Sequence, residues 1–97
     1  MGRKKRAAKV VEQEDLFDEN KNVVGDAVRQ QRIKRKMSQQ QLAAKMQTMG
    51  ASIDQQMISK IENNSRQITD YELACFCVVL QISPNDLLKD FFEKYTQ

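Results

Sequence analysis

Ile53-Asp54-Gln55-Gln56-Met57-Ile58-Ser59-Lys60-Ile61-Glu62-Asn63 is the stretch that decides how this chain is read. Wound as a helix at about 100° per residue, it sorts onto two faces. Met57, Ile58 and Ile61 fall together. Gln55, Gln56, Ser59, Lys60 and Asn63 fall opposite them, within an arc of roughly 140°. That polar face holds hydrogen-bond donors and acceptors, one cation and no acid. Glutamine can pair bidentately with adenine, and lysine can reach the acceptor edge of guanine. A helix of this kind suits the DNA major groove. It also suits an ordinary solvated surface, so the flanking sequence has to decide.

Outward from this segment the signals are helical. Before it, Ser38 followed by Gln41 forms a capping box, and Leu42, Ala43 and Met46 give the buried side of a helix. The connection 47–52 contains Gly50, which is free to take positive φ, and Asp54 then caps the central helix. An earlier helix is expected over 23–36, with Val24 and Val28 inward and Arg32 on the flank of that stripe. After the central helix, Asn63-Asn64 supplies a stop, because asparagine tolerates the left-handed cap conformation. Thr69 and Glu72 make a second capping box, followed by a core stripe of Leu73, Phe76, Cys77 and Leu80. Ser83-Pro84 opens a fifth helix, whose apolar side is Leu87, Leu88, Phe91, Phe92 and Tyr95. Five short helices with tight connections describe an all-α fold.

Composition narrows the function. Ninety-seven residues allow one lean domain. The net charge is +3, but the middle of the chain is much more basic than that. From 29 to 66 there are eight basic residues (Arg29, Arg32, Lys34, Arg35, Lys36, Lys45, Lys60, Arg66) against two acids, Asp54 and Glu62. This is the charge pattern of a polyanion binder. There is no histidine, and no nucleophile–base pair, metal set or phosphate loop is seen, so neither an enzyme nor a cofactor is expected. Cys75 and Cys77 lack metal-ligand spacing and read as small apolar residues in a reducing compartment. No stretch is apolar enough to span a bilayer, and no secretory signal is seen, so a cytoplasmic location is expected. Residues 1–22, with Arg3-Lys4-Lys5-Arg6 followed by a run of acids, read as a charged, flexible arm. Residues 23–97 read as the folded domain with an extended C-terminal helix.

Taken together, Val24 to Met37, Ser38-Gln39-Gln40-Gln41-Leu42-Ala43-Ala44-Lys45-Met46, Ile58-Ser59-Lys60-Ile61-Glu62-Asn63 and Leu80 to Leu88 resemble the helix-turn-helix domain of the Cro and lambda-repressor-like (XRE) family. The resemblance implies a compact five-helix domain with about 54–63 as its reading helix. It implies base reading by Gln55, Gln56, Ser59 and Lys60, DNA-backbone contacts from Gln39, Asp54, Asn63 and Arg66, and a structural ion pair between Arg32 and Glu62. This sequence departs from the family in two places. The connection between helices two and three is about five residues longer than the usual short glycine turn, and Lys36 stands where glycine usually ends helix one.

The implied function is a sequence-specific, double-stranded DNA-binding transcriptional regulator, a repressor in the first instance. It would work as a homodimer on an inverted-repeat operator and have no membrane role. Two surfaces are open for the dimer, one with Phe91, Phe92 and Tyr95, the other with Cys75 and Val78. Phe91 and Phe92 have an alternative, packing on their own domain or on Val10, Leu16 and Phe17. The competing function is an antitoxin that binds a toxin protein and autoregulates its operon. A third is an interaction module that no longer binds DNA.

Overall fold

The computed structural model describes residues 20–95, and among them all regular structure is helical. The elements are α1 (Gly25–Lys34), α2 (Gln39–Thr48), α3 (Gln55–Glu62), α4 (Asp70–Leu80), α5 (Pro84–Leu87) and α6 (Lys89–Tyr95). The expected all-α class is found. The expected fifth helix is divided at Leu88, whose backbone sits near φ −94°, ψ 1°. Leu87 is buried at the end of α5, whereas α6 buries no residue completely. None of the described helices is long and apolar enough to cross a membrane.

Local chemistry starts the helices where the sequence says it should. Ser38 Oγ accepts from the Gln41 backbone N–H at 3.0 Å, and Gln41 Oε1 accepts in return from Ser38 N–H at 2.8 Å. Thr69 and Glu72 form the same reciprocal box. Ser83 caps α5, with Pro84 at its first position. The start of α1 is built differently. Asn22 Oδ1 accepts from Val24 N–H at 3.0 Å and Gly25 N–H at 2.7 Å. Its Nδ2 donates to the carbonyls of Ile61 and Arg66 at 3.0 and 2.9 Å. One side chain therefore ties the beginning of α1 to the end of α3.

The core is a single cluster in which Val28, Leu42, Met46, Ile53, Ile58, Ile61, Phe76, Leu80 and Leu87 are fully enclosed. Ala43 is buried where α2 packs on α3. On α4 the buried stripe is Glu72, Cys75, Phe76 and Leu80, with Leu73 and Cys77 half-buried. This shifts the expected stripe and corrects one expectation: Cys75 is buried, so it is not part of an exposed pairing surface. Val78, on the other side of α4, is exposed. Burial holds the Cys77 thiol above its ordinary range.

On α6, Phe91 packs edge-on to Phe92 with ring centres 5.7 Å apart, and stacks at a tilt on Tyr95 at 4.8 Å. The alternative partners Val10, Leu16 and Phe17, like the whole arm up to residue 19, lie outside the described residues.

Candidate nucleic-acid interface

The lengthened connection between α2 and α3 is packed into the domain. Gly50 takes φ +89° and turns the chain at the end of α2. Ala51 and Ile53 then enter the core. Gln47 Nε2 donates to the Ile53 carbonyl at 2.8 Å, and Tyr71 Oη donates to the Met49 carbonyl at 2.6 Å. These ties fix where α3 begins. Asp54 Oδ1 then accepts from the Met57 backbone N–H at 2.9 Å and caps it.

α3 is seated by Ile58 and Ile61, both fully buried, and by Glu62, only 4% exposed. Glu62 is held by Arg32 of α1. Arg32 Nε donates to Oε2 at 2.7 Å and Nη2 donates to Oε1 at 3.1 Å. A third donor of the same guanidinium, Nη1, reaches the Met37 carbonyl at 2.8 Å. The hydrogen bond that Arg32 donates to Glu62 raises the Arg32 pKa above its ordinary value. The pair is thus a bidentate clamp between the first and third helices, with the carboxylate buried.

From Glu62 the network continues to the face itself. Gln39 Nε2 donates to Glu62 Oε1 at 3.0 Å, and Gln55 Nε2 donates to Gln39 Oε1 at 2.7 Å. The first residue of α2 and the first residue of α3 are therefore joined side chain to side chain. Sequence spacing did not suggest this contact, because it depends on the crossing of two helices. Beyond it, Gln56 and Lys60 are exposed, Ser59 is half-buried, and Asn63 is exposed at the end of α3.

Two residues expected at the DNA backbone have contacts of their own within the domain. Arg66 is committed to Glu72, with Nη1–Oε1 and Nη2–Oε2 both at 3.0 Å, and also donates to the Gln67 carbonyl at 2.9 Å. Its pKa is raised chiefly by the hydrogen bond to Glu72, and the field of Asp54 adds to the effect. Asp54 is a carboxylate that can only accept, so it has no proton to offer a phosphate. Of the eight basic residues between 29 and 66, Arg32 and Arg66 are paired, and Arg35 is half-buried on Gln31 at 2.6 Å. The remaining five (Arg29, Lys34, Lys36, Lys45, Lys60) are exposed.

A helix-turn-helix family model matches residues 28–87, well over half of the chain. The chain belongs to the Cro and lambda-repressor-like helix-turn-helix family. In a member of this DNA-binding family, α2 and α3 are the helix-turn-helix pair, and the network from Arg32 to Gln55 runs through it. No curated protein and no solved structure matches the chain.

Proposed function

We propose that this protein is a sequence-specific, double-stranded DNA-binding transcriptional regulator that lays α3 in the major groove. It acts as a homodimer on an inverted repeat and represses by occluding the site. Gln55, Gln56, Ser59 and Lys60 read base edges, Gln39 and Asn63 meet the backbone, and the exposed cations supply the salt-dependent part of the affinity. The observation that carries the reading is the division of α3. Ile58, Ile61 and Glu62 are buried, while Gln56 and Lys60 project and Gln55 is braced by Gln39. A side chain held by a neighbour loses less freedom on meeting a base edge, which favours selective contact.

The test is selection from randomised duplex DNA with wild type and Gln56→Ala. Wild type is expected to enrich an inverted repeat. Gln56→Ala is expected to lose preference at one position of each half-site, by about 1–3 kcal/mol. An unaltered preference would remove Gln56 from the readers, and wild type enriching nothing would end the sequence-specific reading.

A further inference from the structure

Lys21 fixes where the chain enters the fold. Its backbone N–H donates to the Asn64 carbonyl at 2.7 Å, and the side chain of the next residue, Asn22, is tied to α1, to the end of α3 and to Arg66. Beside this entry lies an apolar groove of about 370 Å³, lined by Val23, Val24, Ile68, Leu73 and Leu88, with Lys21 and Asp70 as its charged residues. Val24 belongs to the core, and Ile68, Leu73 and Leu88 pack against it half-buried, so the groove continues the core to the surface. Val23 stands 42% exposed among them. Apolar surface gathered in this way, rather than scattered singly, is the kind that another apolar group covers.

We propose that Leu16 and Phe17 of the same chain occupy this groove. Two arguments single them out. The first is reach. Leu16 and Phe17 are the first apolar residues met going back from the entry, and Phe17 is four residues before Lys21. Four residues span at most about 14 Å. With Lys21 fixed, Phe17 stays within that distance of a residue that lines the groove. So short a tether gives an effective concentration on the order of mM, which a diffusing partner does not match. The second argument is charge. The pair lies between Asp15 and Asp18-Glu19, with Glu12 and Glu14 further back. Another groove shares Val23 and is lined by Leu87, Phe91 and Tyr95, but its charged residues are Asp26, Asp90 and Lys94, two acids to one cation. An acidic segment is repelled there, whereas in the first groove Lys21 offsets Asp70. The segment is therefore assigned to Val23, Ile68 and Leu88 rather than to the aromatic side of α6. A phenylalanine encloses about 150–250 Å² when buried, which is the driving force for docking. The inference does not depend on α3 reading DNA.

The experiment is NMR of the full-length chain with labelled methyl groups and phenylalanine rings, wild type against Phe17→Ser. The core begins at Val24, so serine at position 17 leaves it intact. In wild type, nuclear Overhauser contacts are expected from the Phe17 ring to the methyls of Ile68 and Leu88. In Phe17→Ser those contacts are lost, the methyl shifts of Val23, Ile68, Leu73 and Leu88 move while those of Leu42 and Ile58 stay, and the urea midpoint falls. Contacts from Phe17 to Phe91 or Tyr95 instead would put the segment in the other groove and overturn the proposal. No contact at all, with methyl shifts alike in the two proteins, would overturn it as well. A mixture of methyl-labelled and ring-labelled chains identifies the donor of the segment. Contacts found only between chains would make the occupant the arm of a second copy and overturn docking within one chain.

Discussion

Removing the Glu62 carboxylate would leave the Arg32 guanidinium with 12% of its side chain exposed and two of its hydrogen bonds lost. An enclosed charge stripped of its partner is costly, so Glu62→Ala is expected to destabilise by about 3–5 kcal/mol. Urea unfolding measures this, and an unchanged midpoint would reject the clamp. The second clamp gives a pH dependence. Glu72 is held below its ordinary 4.5, first by the hydrogen bond from Arg66 and then by the Thr69 backbone N–H, against an opposing effect of burial. The folded state thus binds fewer protons at this site than the unfolded state. Its contribution is complete above the ordinary value, declines as pH falls below 4.5, and is gone below the depressed folded value. Urea midpoints taken down to about pH 2 should fall less steeply for Glu72→Gln than for wild type. Lys36 offers the opposite opportunity. It sits at φ +58°, the left-handed region that is costly for a residue with a Cβ. Lys36→Gly is expected to raise stability by about 1 kcal/mol, read from the same midpoint.

Helix starts were far more legible than helix ends. Ser38, Asp54, Thr69 and Ser83 announce their helices because a side-chain oxygen at the cap has one local job. The ends follow a single backbone pattern with dissimilar residues. After α1, α2, α3 and α4 the chain closes with paired bonds such as Lys36 N–H to Ile33 carbonyl at 2.9 Å and Met37 N–H to Arg32 carbonyl at 3.1 Å. The left-handed residue in these four turns is Lys36, Gly50, Asn64 and Gln81. Only the glycine and the asparagine carry a readable preference for that conformation; lysine and glutamine have none. The same blindness hid Gly25. It takes no positive φ, yet a Cβ at this position would run into the Ile61 carbonyl oxygen and the Asn64 side chain. The start of α1 lies against the end of α3 there, held by Asn22. Gly25→Ala is therefore expected to destabilise by about 1–3 kcal/mol, as overpacking does. A melting temperature equal to that of wild type would show that the two helix ends can separate freely. Local preference could not reveal this contact, because 36 positions separate Gly25 from Ile61.

At the scale of the whole molecule, charge and symmetry set what the domain can do alone. Its basic middle looks stronger in the sequence than it is in the fold, because Arg32 and Arg66 spend their charge on Glu62 and Glu72. Pairing across the fold is invisible to a count of residues, whereas the two faces of α3 follow from helical period and were legible. Five exposed cations are left between 29 and 66: Arg29 and Lys34 on α1, Lys36 in the turn after it, Lys45 on α2 and Lys60 on α3. A single domain thus neutralises only a few phosphates, and each contributes about 0.9 to the slope of log affinity against log salt. Two domains on an inverted repeat, with half-sites about 34 Å apart, would double the phosphate contacts and the bases read. The expected outcome follows directly. On a full inverted repeat, binding should occur with two chains per duplex and a salt slope about twice that on an isolated half-site. Arg66→Ala, compared at a temperature where both proteins are folded, should lower the melting point and leave that slope unchanged, since its guanidinium is already held by Glu72. Equal slopes and equal stoichiometry on half-site and full site would mean that the domain binds as a monomer. A slope that flattens with Arg66→Ala would mean that DNA takes Arg66 from Glu72 on binding.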